Sequence, residues 1–445
     1  MSISPFDSAL YRDLFTDRDV ASLFSDSADM RAMLLVEGTL AKVQGDLGVI
    51  PAESAAFIHR SALEVQIDPA ALAGATGQNG VCVPALVAAF RKEMEAPEHA
   101  QYAHWGATSQ DIIDTGLALR LRQALALIEA RADRLLRALA ALAEAHAETP
   151  MTARTYGQTA NPTSFGAVVA GWGWSGLAHK DRLAALRPRL LAVTLAGAAG
   201  TGAAFGGKAA ETRAALAKAL KLADPGRSQH STRDHVAELA GWLSLVAGGL
   251  GKMGEDLMLL AQSDTGEVRF GAAGASSTMP QKQNPVGASV LIALARHVLA
   301  LNGAMQGAML HRQQRDGAAW FTEWLSLPAM VMGVAKGLGT AAELAEGLQP
   351  QVTRMADTLN DPLGLIHAEA LSFALAGHMP RPEAQAEVKA LCKDAQATGT
   401  PLLALLKAAH PGLGLAEVTE PLAAMGQAPE EARAFAAAVA ERLDG

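Results

Sequence analysis

Cysteine is nearly absent: Cys82 and Cys392 are the only two in 445 residues. That excludes a disulfide framework and a thiolate metal site, and it fits a reducing cytoplasm. Aromatic residues make up only 4% of the chain, and clusters of β-branched and aromatic residues of the kind strands use are scarce. No run of Lys or Arg stands out, and the formal charge is −8, so nucleic acid is not expected as a partner. An anion site on such a molecule has to be a local positive pocket. The opening residues, MSISPFDSALYRD, carry acidic groups early and no apolar core, so no signal peptide is expected. The longest uncharged stretch, 190–207, is glycine-rich and short of bulk, which argues against a membrane span. No HExxH occurs, and His230 and His235 are five apart, the wrong spacing for two ligands on one helical turn; no metal is expected.

What remains is rich in Ala, Leu and Gly, and proline is missing from long tracts. None lies between Pro97 and Pro150, Pro225 and Pro280, or Pro285 and Pro328. Since proline costs a helix interior about 3 kcal/mol, such tracts are where long helices fit. Residues 113–142 keep a stripe in steps of three and four: Ile113, Leu117, Leu121, Ala124, Ile128, Ala132, Leu135, Leu139, Leu142. Residues 236–262 are apolar over most of their circumference and hold five glycines, which predicts a helix packed closely against others in a bundle or subunit interface. The fold class expected is all-α, in three helical domains. Residues 1–111 form the first and a long-helix bundle over 112–355 the second. Residues 356–445, broken into short elements by prolines at 380, 382, 401, 411, 421 and 429, form the third.

Three stretches break this apolar background with chemistry. In HWGATSQDIIDT, residues 104–115, Thr108 and Asp111 have the spacing of a capping box. A helix start with free N–H groups and hydroxyls can hold a carboxylate. ARTYGQTANPTSFG, residues 153–166, is dense in amides and hydroxyls and reads as a polar loop at a helix end. In GASSTMPQKQNP, residues 274–285, Asn284-Pro285 predicts a helix start with Asn as N-cap. Lys282 then sits just outside a helix N-terminus, where a cation and a dipole can converge on one anion. Gly274-Ala275-Ser276 is not a nucleophile elbow, because Thr278 stands where its second glycine belongs. GTGAAFG, residues 200–206, with Asp224 beyond it, is a near miss on the dinucleotide fingerprint and has no other support.

Together these stretches resemble, in order, the three active-site regions of the fumarase/aspartase superfamily, whose signature loop reads G-x-S-S-x-M-P-x-K-x-N-P. The likeness runs over nearly the whole chain. Residues 24–51, HSTRDHVAEL from His230 and RQQRDGAAWFTEW from Arg312 are similar to the bacterial 3-carboxy-cis,cis-muconate cycloisomerase branch. There are departures. Tyr156 stands where lyases of the superfamily usually carry histidine, Gln281 and Ala275 replace a common histidine and glycine, and Ser263-Asp264 replaces Thr-Glu.

The resemblance implies a homotetramer whose active sites draw the three regions from three subunits, acting on a small polycarboxylate without metal or other cofactor. It implies Ser276 as acid/base at carbon and Lys282 with Asn284 holding an aci-carboxylate. Thr108 and Ser109 are then expected to bind a second substrate carboxylate. His104, Gln158, Arg315, Arg154, Tyr156, Ser277 and Met279 complete the substrate-binding set. An adenylosuccinate-type lyase, a cycloisomerase for a sulfonated muconate analogue and an inactive scaffold are the rival readings. Tyr156 counts against the first of these, and intact Ser276, Lys282 and Asn284 count against the last.

Overall fold

The computed structural model describes residues 3–271, 274–275, 278–279, 282–415 and 417–444. Five long helices dominate: α1 (Ser109–Ala145), α2 (Phe165–Leu190), α3 (Asp234–Leu260), α4 (Val286–Gly307) and α5 (Gly317–Glu346). The all-α expectation holds. The stripe over 113–142 lies within α1, and the glycine-bearing helix expected over 236–262 is α3. α5 departs from the proline argument, since it runs straight through Pro328. One lost hydrogen bond and the ring clash cost about 3 kcal/mol. Leu327, Met330, Val331 and Val334, all buried on that helix, each return about 1.5–3 kcal/mol.

The chain divides into two compact units, each made of separate stretches of sequence. The first holds 1–131, 178–248 and 293–339. Its core gathers Met33, Leu40, Ile58, Phe90, Ile112, Phe205, Leu216 and Trp320. The helix Asp26–Asp46 begins on Ser25, whose side chain accepts from the Ala28 N–H. It lies tightly on the helix Ala52–Glu64: a Cβ on Gly38 would stand 2.5 Å from that of Ala62. The segment 200–206, the near miss on the dinucleotide fingerprint, follows left-handed Gly197 and itself opens on left-handed Gly200 and Gly202. It leads into a 3-10 turn, without the strand–turn–helix that fingerprint requires.

The second unit holds 132–177, 249–292 and 340–445. Prolines open its short C-terminal helices as expected: Pro380 and Pro401 are N-caps, and Pro421 and Pro429 lie in first turns. Leu371, Leu375, Val388, Leu402 and Leu406 form their core. This unit also carries three antiparallel strand pairs: β1 (Pro150–Thr155) with β2 (Gln158–Ser164), β3 (Val268–Phe270) with β6 (Leu348–Pro350), and β4 (Gly274–Ala275) with β5 (Gln283–Asn284). The stretch read as a polar loop, 153–166, is therefore the β1–β2 hairpin.

α4 and α5 are both long and apolar enough to cross a membrane. Of the most apolar window of α5, 72% is buried inside the chain, as in a core helix, but only 33% of that of α4 is. α3 is likewise half-dressed: Leu245 and Leu259 are exposed, and a Cβ on Gly241 or Gly248 would meet nothing within 4 Å. Residues 241, 245 and 248 share one helical face.

Candidate active site

In the first unit the site region is the start of α1. Asp111, at the third helical position, accepts from the Thr108 N–H at 3.0 Å, half of the expected capping box. Its carboxylate, wholly buried, also accepts from the N–H groups of Ala196 and Gly197 at 2.9 Å and pairs with His230 Nε2 at 2.8 Å. Thr108 and Ser109, half-buried, are thus held by a carboxylate facing inward, with their hydroxyl-bearing turn at the surface of this frame.

One turn on, Asp114 joins a charged cluster. Arg233, buried to 3% exposure, donates to Asp114 at 2.6 Å and through both sides of its fork to Glu323 at 2.8 and 2.6 Å. Burial pulls the Arg233 pKa down, but Asp114 and Glu323 together hold it above the ordinary guanidinium value. Burial raises the Glu323 pKa, only partly offset by Arg233. Burial, then Arg233, push His235 down to about 4, so that ring is neutral. Trp320 Nε1 donates to Asp114 at 3.2 Å. Arg315 is tied to the same frame, its Nε donating to Gln110 Oε1 at 3.0 Å and its Nη2 to the Ala198 carbonyl at 3.1 Å. His104, at φ 63°, is oriented by Glu37, 2.6 Å from its Nδ1. Burial opposes its protonation, but the Glu37 charge and hydrogen bond outweigh that and raise its pKa.

In the second unit the β1–β2 hairpin turns through two residues of positive φ, Tyr156 at 53° and Gly157 at 72°, the geometry of a type I′ turn between Thr155 and Gln158. The Tyr156 side chain stands fully exposed at the tip and Gln158 is exposed beside it. Arg154 is engaged lower in the hairpin: its two Nη groups donate to the buried Glu267 carboxylate at 2.8 and 2.9 Å. Thr358 Oγ1 donates to the same carboxylate at 2.7 Å. Arg154, one of the residues expected to bind substrate, is thus also tied within this chain to Glu267.

The signature loop is closed at its base by Gly274 opposite Asn284 and Ala275 opposite Gln283. A Cβ on Gly274 would lie 2.7 Å from Val286 Cγ2, so the closure needs glycine there. Asn284 is a strand residue rather than the N-cap. The Pro285 carbonyl takes the first helical bond, from the Ser289 N–H at 3.1 Å, one residue later than the dipeptide suggested. The Lys282 N–H donates to the Met279 carbonyl at 3.0 Å, and the Lys282 side chain is exposed. Ser276 and Ser277 lie outside the described residues.

Beside this loop is a cleft of about 870 Å³, lined by Lys282, Asn284, Met279 and by Arg269, Gln351 and Arg354. The β3–β6 pair sets Arg269 opposite Gln349, and Arg354 is braced by donating its Nε to the Thr265 carbonyl at 2.9 Å. Among the described residues the lining holds three cations and no carboxylate, on a chain whose formal charge is −8. Such a wall suits a compact polyanion. Arg269, Gln351 and Arg354 escaped the sequence reading. The one available signal was Arg269, an isolated cation two residues after Glu267 in GEVRF. HSTRDH and RQQRDGAAWFTEW, notable in sequence only as resemblances, supply Arg233, and Trp320 and Glu323, to the buried cluster.

Comparison with known proteins follows the same line. A family model described as "Lyase" matches residues 8–300. A 3-carboxy-cis,cis-muconate cycloisomerase from Pseudomonas aeruginosa is 42% identical over 87% of this chain and 85% of its own length. One from Pseudomonas putida is 39% identical over 89% of this chain and 95% of its own length. The crystal structure of the 3-carboxy-cis,cis-muconate lactonizing enzyme from Pseudomonas putida superposes with a TM-score of 0.90 at 37% identity. It covers 98% of this chain and 100% of that one.

Proposed function

The chain belongs to the lyase family, and on that premise we propose that it is an intramolecular lyase closing 3-carboxy-cis,cis-muconate to 4-carboxymuconolactone. This is a step in the protocatechuate branch of the β-ketoadipate pathway. The observation that carries the reading is the carboxylate-free cleft walled by Lys282, Arg269 and Arg354. The likeness to cycloisomerases over most of the chain supports it.

The reaction is an isomerisation in which nothing leaves. A carboxylate oxygen adds to the conjugated double bond, the electron pair moves onto another carboxylate as an aci-carboxylate, and a proton is delivered to the adjacent carbon. Two things are required: an acid/base at that carbon and fixed positive charge at the aci-carboxylate. Ser276 takes the first role, with Lys282 and backbone N–H groups stabilising its alkoxide. Lys282 and Asn284 take the second. Thr108 and Ser109 hold a further carboxylate at the start of α1. His104, Gln158, Tyr156, Arg154, Ser277, Met279 and Arg315 surround the substrate.

The enzyme works in the cytoplasm as a homotetramer of subunits with three helical parts, 1–111, 112–355 and 356–445, each site shared between subunits. The undressed apolar faces of α3 and α4 support assembly, and the outward Tyr156 tip supports sharing. A spectrophotometric assay on 3-carboxy-cis,cis-muconate, with adenylosuccinate in parallel, tests the function. Loss of dienoate absorbance is expected, and cleavage of adenylosuccinate alone would overturn the reading. Ser276→Ala should lower turnover by roughly 10²–10⁴-fold; an unaffected rate removes Ser276 from the chemistry.

A further inference from the structure

The three carboxylates of 3-carboxy-cis,cis-muconate have different fates in the proposed reaction. One supplies the attacking oxygen and one takes up the electron pair. The third sits on the carbon where the ring closes and keeps its charge unchanged from substrate to product. Lys282 and Asn284 meet the second. The third calls for a counter-charge that is fixed, uncommitted and set apart from the signature loop.

Arg269 meets those conditions. It stands in β3 between buried Val268 and half-buried Phe270, exposed on the wall of the cleft. The pairing of β3 with β6 fixes its backbone opposite Gln349. The acid nearest in sequence, Glu267, is already engaged: its buried carboxylate accepts from both Nη groups of Arg154 and from Thr358 Oγ1. Among the described residues the Arg269 side chain has no hydrogen-bond or ion-pair partner, and no carboxylate lines the cleft. The other two cations are placed differently. Arg354 donates Nε to the Thr265 carbonyl at 2.9 Å and Nη2 to the Asp264 carbonyl, so one edge of its fork is held by backbone. Lys282 belongs to the signature loop and offers a single ammonium.

Given the cycloisomerase reaction, on which this assignment rests, we propose that Arg269 is a specificity-determining residue, its guanidinium gripping the carboxylate on the ring-closing carbon. A planar fork matches a planar carboxylate through two parallel N–H···O bonds. On the attacking carboxylate the same pair would occupy both oxygens and blunt the nucleophile. On the accepting one it would stand where Lys282 already serves. On the bystander it leaves the chemical step untouched, because that group is equally charged in substrate and transition state. Its contribution therefore shows in KM and not in kcat. A muconate without this carboxylate gives Arg269 nothing to hold.

Steady-state kinetics of the full-length protein on 3-carboxy-cis,cis-muconate test this, with cis,cis-muconate as a competitor that differs only in lacking the third carboxylate. Arg269→Gln should raise KM about tenfold and leave kcat within about threefold, while the Ki of cis,cis-muconate stays within about twofold of wild type. Arg269→Lys keeps the charge, loses the fork and should recover only part of the lost affinity. Both variants should unfold at the wild-type temperature, as expected for an exposed side chain without partners. A Ki that rises in step with KM would reduce Arg269 to a general positive charge and overturn the assignment. A KM unmoved by Arg269→Gln, or fully restored by Arg269→Lys, would overturn it as well. Failure of the wild-type protein to consume 3-carboxy-cis,cis-muconate would instead refute the cycloisomerase reading itself.

Discussion

Replacing Lys282 by Met keeps most of the length of the side chain and removes its charge, which lowers the cleft, among the described residues, from three cations to two. The two that remain are held on other elements, Arg269 in β3 and Arg354 braced on the Thr265 carbonyl, so neither can take the place of the ammonium. A charge that serves ground state and transition state alike changes binding only. A charge aimed at the developing aci-carboxylate changes turnover. Loss of one preorganised donor to a developing anion costs about 10²–10³-fold in kcat, or roughly 2.7–4 kcal/mol. Arg269→Gln removes a charge of the same sign from the same wall but away from the signature loop. It should raise KM about tenfold, as expected for a loss of roughly 1.4 kcal/mol of uniform binding, and leave kcat within about threefold. Steady-state kinetics of the two variants on 3-carboxy-cis,cis-muconate, with a denaturation curve to confirm folding, separate the roles. If Lys282→Met and Arg269→Gln show the same split between kcat and KM, the lysine is one more binding charge and the mechanism loses its electrophile.

Three further outcomes follow from the geometry. Asp114→Asn deprives buried Arg233 of one counter-charge and one short bond while Glu323 remains, so urea denaturation should show a loss of about 2–3 kcal/mol; a change within 0.5 kcal/mol, roughly that of an ordinary surface substitution, would contradict the frame. His104 has its pKa raised by Glu37, so the stability it contributes is fully present below the ordinary histidine value of about 6.5 and is lost as pH rises through the raised folded value. The gap between wild type and His104→Gln should accordingly be widest in mild acid and close toward alkaline pH. Gly248→Trp places a large ring on the open face of α3 and should leave the subunit folded by circular dichroism while sedimentation shows smaller assemblies; an intact tetramer would mean that face is not an interface.

The long helices were legible because their signal is repeated: nine apolar positions in register over 113–142 leave little choice for α1. Proline was a sound guide where it opens a helix, at 380, 401, 421 and 429, and a poor one at 328, where burial along α5 outweighs a single local penalty. The two hairpins, β1–β2 and β4–β5, were missed for a different reason. Each is a two-strand piece fixed by a turn or a glycine contact, and Tyr156-Gly157 lacks the Asn-Gly or Asp-Gly pair that marks a type I′ turn most clearly. At the site, Lys282 and Thr108 could be named from local context, since a helix start is a local property. Arg269 and Arg354 could not, because they meet the loop only after β3 has paired with β6 across some eighty residues of chain.

The carboxylate-free cleft also sets how substrate arrives. A triply charged anion approaching a molecule of formal charge −8 is repelled at long range and attracted only near the three cations. At physiological ionic strength the screening length is about 8 Å, short enough to silence the distant repulsion and leave the local attraction working. The encounter should therefore quicken as salt is raised from very dilute buffer, the reverse of what a uniformly positive protein would show.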